Sequence, residues 1–66
     1  MSKIAKMRKF MGLTQTDVAS ILGISLQSYY KKENKKTPFN DNEKIAMKNL
    51  FKKSFPKITI DEIFFD

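Results

Sequence analysis

Residues 14–33 read TQTDVASILGISLQSYYKKE, a pattern that predicts two short helices joined by a tight turn. Thr14 and Ser25 each stand where a helix N-cap is expected, because their hydroxyls can accept an unpaired amide of the first turn. Gly23 lies between the two segments, at a place where helices commonly end on a left-handed residue. Two helices connected by so short a turn form a helix-turn-helix, whose second helix can enter a DNA major groove.

The second of these helices, residues 26–34, carries the side chains predicted to face DNA bases: Leu26, Gln27, Tyr30 and Lys31. Gln27 can read an adenine through paired hydrogen bonds, and Leu26 can contact a thymine methyl group. Lys31 can reach a guanine or a phosphate. Tyr30 is large for a groove-facing position, so it either stacks on the sugar-phosphate backbone or belongs to a contact with another protein.

Several features of this region occur together in one known family. They are Leu13-Thr14-Gln15, the small Ala19, the Gly23-Ile24-Ser25 turn, Glu33-Asn34, the upstream Arg8 and the later Pro38. With them, about residues 4–50 resemble the DNA-binding domain of the Cro/CI-type phage repressors and their bacterial relatives. The resemblance implies an all-α bundle of four to five helices. A length of 66 residues predicts a single domain, residues 1–66, with residues 14–34 as its helix-turn-helix unit.

The resemblance also implies roles for residues outside the base-facing side. Arg8 and Glu33 would form a partly buried ion pair between the first and third helices, although a solvated arginine is the simpler alternative. Gln15 would contact a phosphate and brace a side chain of the recognition helix, where the alternative is a plain exposed glutamine.

The predicted contacts with the DNA backbone are completed by Ser25 and by the loop residues Asn34, Lys35 and Lys36. Phosphate contacts of this kind position a protein without reading sequence, and a solvated lysine pair is the alternative. The family usually has glycine where Lys35 stands, so Asn34 is predicted to supply the left-handed residue one position earlier. Lys32 replaces a large apolar residue of the family, so its stem is predicted to cover the core while its amine reaches water.

The net charge of +6 is distributed unevenly along the chain. Residues 1–36 contain eight lysines and arginines against two acidic residues, which gives +6, whereas residues 37–66 contain five of each sign. All the excess positive charge therefore lies in the part that contains the helix-turn-helix, as expected of a phosphate-binding surface. The alternative is ordinary solubilising charge.

The remaining predicted helices cover residues 2–11, 15–22 and 40–53, and a short fifth helix is predicted to start at Ile60 after the capping pair Thr59 and Glu62. The apolar tail, residues 55–66, either packs on the core between the first and fourth helices or forms a dimer surface, and we expect both, with Phe64 or Phe65 outermost. The candidate dimer residues are Ile63, Phe64 and Phe65. A short strand is the structural alternative for this tail.

The composition argues against several classes of protein. There is no cysteine and no histidine, so a nucleophile–base pair, a disulfide framework and a thiolate or imidazole metal site are not expected. We predict no enzymatic activity, no metal and no cofactor. No apolar run approaches a membrane span and no signal-peptide pattern is present, so a cytoplasmic protein is expected, and a basic amphipathic membrane peptide is a remote alternative.

The sequence therefore predicts a sequence-specific DNA-binding transcriptional regulator. Because no second domain for ligand sensing is apparent, the chain resembles a Cro-type protein more than a full repressor. A homodimer would bind a pseudo-palindromic operator in double-stranded DNA, with half-sites about one helical turn apart. The alternative is a modulator or antirepressor that acts by binding a larger repressor protein, which Tyr30, Lys32 and the aromatic tail suggest.

Overall fold

The computed structural model of the protein describes residues 2–65, which form five α-helices. These are α1 (Lys3–Phe10), α2 (Gln15–Leu22), α3 (Leu26–Glu33), α4 (Asp41–Phe51) and α5 (Ile60–Phe64). The predicted all-α fold of four to five helices is confirmed. Within residues 2–65 no strand forms, so the alternative of a strand in the tail was wrong. None of the helices in this described range has the length and apolar character needed to cross a membrane.

Each helix begins after a residue whose side chain accepts a hydrogen bond from the first turn. At α2, Thr14 Oγ1 accepts from Asp17 N at 3.0 Å, and Asp17 Oδ2 accepts from Thr14 N at 2.9 Å. This reciprocal pair satisfies two amides for which the helix supplies no partner. The same capping box occurs at the starts of α4 and α5, as the spacing of their sequences predicts.

The turn between α2 and α3 depends on Gly23, which has the left-handed φ of 70°. The next amide, that of Ile24, donates back to the carbonyl of Ala19 at 3.0 Å and so closes the end of α2. Ser25 Oγ then accepts from Ser28 N at 3.0 Å and starts α3. Ala19 is buried where the two helices approach, which agrees with the need for a small residue there. The predicted pair of short helices joined by a tight turn is therefore present.

All five helices contribute to one hydrophobic core. Its most deeply buried side chains are Val18, Tyr29, Met47, Phe51 and Ile63. Helix α5 contacts both α1 and α4, so the tail packs on the core as one of the two alternatives predicted. Asp66, the last residue of the predicted tail, lies outside the described residues. This core holds α1 and α4 against the pair formed by α2 and α3. It therefore fixes which side of α3 remains open to solvent.

Candidate nucleic-acid interface

Beneath the open side of α3, the carboxylate of Glu33 accepts hydrogen bonds from three different side chains. Arg8 donates from Nε to Oε2 at 2.8 Å and from Nη2 to Oε1 at 3.2 Å. Tyr29 OH donates to Oε2 at 2.6 Å, and Gln15 Nε2 donates to Oε1 at 3.0 Å. Arg8 also donates from Nη1 to the carbonyl of Leu13 at 2.8 Å. The start of α2 and the end of α1 are thereby tied to α3.

The two charged members of this cluster are almost completely removed from solvent. Arg8 is 7% exposed and Glu33 is 4% exposed. Burial by itself would raise the pKa of Glu33, but hydrogen bonds from Arg8, Tyr29 and Gln15 outweigh it and hold that pKa below its usual value. Burial and the same carboxylate raise the pKa of Tyr29, so its hydroxyl remains a donor. The predicted Arg8–Glu33 ion pair is confirmed, and the alternative of a solvated arginine was wrong.

Gln15 occupies the position predicted for it, at the first residue of α2. Its amide braces Glu33 of α3, and the side chain is half-buried rather than fully exposed. One N–H of this amide is used by Glu33, so the other can still donate to an approaching acceptor. The predicted bracing role is confirmed, while the phosphate contact stays a prediction.

The four predicted base-facing residues lie together on the solvent side of α3. Leu26 and Tyr30 are each 48% exposed, and Gln27 and Lys31 are also exposed. Their spacing of one, four and five residues places them on one helix face, opposite the fully buried Tyr29. This arrangement leaves a mixed surface of amide, apolar, aromatic and cationic groups.

Tyr30 has a neighbour that its sequence position did not indicate. Lys36 Nζ lies 5.9 Å from the centroid of the Tyr30 ring, within range of a cation–π contact. The loop is turned back by the amide of Lys36, which donates to the carbonyl of Lys31 at 2.8 Å. The ring therefore supports a lysine beside the exposed face of α3, which gives Tyr30 an intramolecular role in addition to the two predicted alternatives.

The residue that ends α3 in the left-handed conformation is Lys35, with a φ of 63°. The prediction that Asn34 would take this conformation was wrong, because Asn34 has a φ of −91°. The Asn34 side chain instead donates to the carbonyl of Tyr30 at 2.8 Å and so satisfies an acceptor in the last turn. Lys35 occupies the position where the resembling family usually has glycine, and both residues remain exposed at this end of the helix.

Lys32 differs from its prediction. The amine was predicted to be solvated, but it donates hydrogen bonds to both carboxylate oxygens of Glu43. The distance from Nζ to Oε2 is 2.7 Å. Glu43 Oε1 also accepts from the amide of Asn40 at 2.9 Å, as part of the capping box of α4. Burial would raise the pKa of Glu43, but hydrogen bonds from Lys32 and from the Asn40 amide hold it below its usual value. Sequence reasoning missed this bridge between α3 and α4.

The predicted dimer surface is only partly available. Ile63 is 1% exposed and belongs to the core, so its assignment to a dimer surface was wrong. The Phe64 ring is partly buried, with its centroid 5.2 Å from that of Phe39. Phe65 is 66% exposed and is the member of the predicted set that lies mainly in solvent. The prediction that Phe64 or Phe65 would be outermost is confirmed for Phe65, whereas the inward position of Ile63 was not predicted.

Comparison with protein-family models, with curated proteins and with solved structures finds no match to this chain.

Proposed function

We propose that the protein is a sequence-specific DNA-binding regulator of transcription whose recognition helix is α3. The observation that carries this proposal is the division of α3 into two sides. Tyr29 and Glu33 are fixed in the interior by the cluster with Arg8, while Gln27 and Lys31 face outward with their polar groups exposed. A rigid helix that presents an amide and a cation beside basic loop residues suits a groove lined with hydrogen-bonding base edges.

In the proposed complex, the outer side of α3 lies in the major groove. Gln27 would pair with the N6 and N7 atoms of an adenine, and Leu26 would contact a thymine methyl group. Lys31 would reach a guanine or the adjacent phosphate. Tyr30 would stack against the sugar-phosphate backbone while supporting Lys36. The contacts of Gln27 and Leu26 with base edges would supply the sequence discrimination, whereas contacts with the backbone would position the helix.

Groups around this helix would hold the DNA backbone. The Ser25 hydroxyl accepts a hydrogen bond from the first turn of α3, and its hydrogen remains available for a phosphate oxygen. Gln15 has a second amide hydrogen for the same purpose. Asn34, Lys35 and Lys36 form the exposed end of the surface, where positive charge attracts phosphates without reading sequence.

The regulator would act as a homodimer in the bacterial host cytoplasm, in the manner of a Cro-type phage switch protein. Each subunit would occupy one half of a pseudo-palindromic operator, with half-site centres about 34 Å apart. Occupation of a promoter would exclude RNA polymerase. No catalytic step is part of this proposal, and no metal or cofactor is required for it.

The experiment that tests the proposal measures binding to duplex DNA by fluorescence anisotropy. Labelled DNA from the promoter region next to the gene is compared with a shuffled duplex of the same composition. We expect Gln27→Ala to weaken binding to the promoter DNA by about tenfold or more and to leave binding to the shuffled duplex unchanged. Asn49→Ala, which alters an exposed amide on α4, serves as the matched control. Equal affinity for both duplexes in the unmodified protein would contradict the proposal.

Salt dependence gives a second test of the same surface. If about five lysines contact phosphates, the logarithm of affinity should fall with the logarithm of salt concentration at a slope of about −4 to −5 per subunit. A slope near zero would mean that the basic residues do not meet the DNA backbone.

The alternative function, a modulator that binds a larger repressor protein, was suggested by Tyr30, Lys32 and the aromatic tail. Lys32 is paired with Glu43, and Tyr30 supports Lys36, so two of these residues have intramolecular partners. The tail retains an exposed aromatic side chain in Phe65. A stable complex with a repressor protein, combined with no preference for the promoter DNA, would favour this alternative.

A further inference from the structure

A groove with a volume of about 330 Å³ lies between the start of α1, the loop after α3, and α5. Its apolar lining includes Ile4, Phe39 and Phe64, which extend the surface of the core outward, and the exposed Phe65 stands at its edge. This volume lies near the lower end of the range for ligand pockets. It can hold one large side chain inserted from a partner, whereas a partner with a flat surface would leave it unfilled. The groove is separate from the base-facing residues of α3.

Positive charge surrounds this apolar floor. Four lysines line the groove, namely Lys3, Lys32, Lys35 and Lys44, and of these Lys32 is already paired with Glu43. Among the described residues that line it there is no acidic side chain. Lys44 Nζ lies 5.9 Å from the ring centroids of both Phe64 and Phe65, so its charge is held directly over the aromatic part of the groove.

We propose that this groove binds an acidic segment of a partner protein that inserts a large apolar side chain. The carboxylates of such a segment would face Lys3 and Lys44, while its apolar side chain would cover Phe39 and Phe64. Complementary charge favours this encounter and suppresses association with basic partners. Peptide binding here does not depend on whether the protein binds DNA.

Two other occupants fit the groove less well. A second copy that met this groove through the same surface, as in a twofold dimer, would place Lys3 and Lys44 opposite identical lysines, so like charges would oppose the contact. The backbone of duplex DNA would be attracted by the lysines but has no large apolar group with which to cover the aromatic floor. An acidic segment with an aromatic or aliphatic anchor satisfies both parts of the surface.

The test uses a fluorescent peptide in which a Phe-Phe pair is flanked by Asp and Glu. Its binding is measured by anisotropy against the full chain and against two double variants of equal charge. Lys3→Glu with Lys44→Glu alters the groove, whereas Lys6→Glu with Lys48→Glu alters the same two helices outside it. Each double variant lowers the net charge from +6 to +2, since each of the two substitutions replaces a positive charge with a negative one. We expect the groove variant to bind at least about tenfold more weakly than the matched control.

The apolar half of the proposal has its own pair of substitutions. Phe65→Ala should weaken peptide binding, whereas Phe10→Ala, which removes another exposed phenylalanine, should not. A peptide with Ala-Ala in place of Phe-Phe should bind more weakly than the original. Circular dichroism confirms for each variant that the helices are retained, so a loss of binding is not a loss of folding.

Three outcomes would overturn the proposal. The first is an absence of saturable binding of the acidic peptide to the unmodified protein. The second is an equal loss in the two double variants, which would mean that binding depends on total charge alone. The third is a concentration-dependent dimer that perturbs the backbone resonances of Phe39 and Phe64 in the absence of peptide, which would assign the groove to a second copy.

Discussion

Glu33 is a buried carboxylate whose hydrogen-bonding capacity is met from three elements of the fold. The cost of removing its charge from water is offset by the two-pronged contact with Arg8 and by the donors on Tyr29 and Gln15. Such a cluster contributes orientation at least as much as stability, because every donor constrains the angle at which α3 leaves the core. Gln27 lies on the outer side of the same helix.

Replacement of Arg8 by methionine should therefore be strongly destabilising. The variant leaves a buried carboxylate without its cationic partner, and we expect the free energy of unfolding to fall by about 3–5 kcal/mol. Urea denaturation followed by circular dichroism measures this change. Lys6→Met, an exposed substitution on the same helix, should change it by less than about 0.5 kcal/mol. Similar effects of the two substitutions would show that the ion pair is not the main stabilising contact of α1.

Lys35 combines a strained backbone with an exposed charge. A non-glycine residue at a φ of 63° is less stable there than glycine, by about 1 kcal/mol. Lys35→Gly should therefore raise the midpoint temperature of thermal unfolding. If this lysine contacts a phosphate, the same substitution should make the slope of log affinity against log salt concentration shallower by about one unit. Lys36→Gly is the control, since it removes an equivalent charge without relieving a positive φ. A lower midpoint for Lys35→Gly than for the parent would contradict the argument.

Residue contacts differ in how far the sequence could predict them. The Arg8–Glu33 pair was expected from resemblance to a family, although 25 residues separate its partners. The hydrogen bond from Tyr29 to Glu33 has the four-residue spacing of helical neighbours, so that signal was present and was overlooked. The Lys32–Glu43 bridge depends on the path of the loop between α3 and α4, which no local pattern specifies.

At the scale of elements, the α2–α3 unit depends on the reversal of the chain at Gly23. A Cβ added at this residue would meet no atom within 4 Å, so space does not exclude other residues. The φ of 70° does disfavour them, and Gly23→Ala should reduce the free energy of unfolding by about 1 kcal/mol.

Gly23→Asn provides the comparison, because asparagine adopts the left-handed conformation more readily than alanine. We expect its free energy of unfolding, measured in urea, to lie between those of the parent and Gly23→Ala. If both variants were as stable as the parent, the turn would not require this backbone conformation.

Helix boundaries were predicted well because capping is a local property. The capping boxes of α2, α4 and α5 each involve residues three apart, so the sequence contains both partners. Inward and outward faces were harder for the short α5. Ile63 is buried and Phe65 is exposed, and this choice depends on where α1 and α4 lie rather than on the apolar character that both residues share.

At the scale of the whole molecule, the free energy of unfolding should decrease at acid pH. The native pKa values of Glu33 and Glu43 lie below the ordinary value of 4.5, so the unfolded chain binds protons more readily at both sites. Their contribution is fully present above about pH 4.5 and is lost as pH falls through the native pKa values. Urea denaturation should give a nearly constant free energy of unfolding between about pH 7 and 5 and a decline below about pH 4.5.

A variant connects this decline to a named group. Glu33→Gln should be less stable than the parent at neutral pH, because the charged partner of Arg8 is lost, but its stability should fall less steeply in acid. An unchanged acid dependence in this variant would place the responsible carboxylates elsewhere in the chain.

The distribution of positive charge has a structural counterpart at this scale. Two of the eight basic residues in positions 1–36, Arg8 and Lys32, are paired with buried carboxylates and serve the fold. The composition showed an excess of basic residues but could not distinguish those two from the lysines that face outward. It also did not place Lys3 and Lys44 beside one groove, because they are on separate helices that only the folded chain brings together.

The separation of the two sides of α3 has a consequence for how such a protein can diverge. Within residues 2–65, the side chains of Gln27 and Lys31 have no hydrogen-bond or ion-pair partner, so replacing them removes no contact of this kind from the folded domain. Tyr29 and Glu33, on the same helix, have no such freedom. If α3 reads DNA as proposed, single substitutions at Gln27 or Lys31 can change the DNA sequence that is bound without a loss of stability. Related proteins can then come to bind different operators, so that the regulator of one lineage no longer acts on the operators of another.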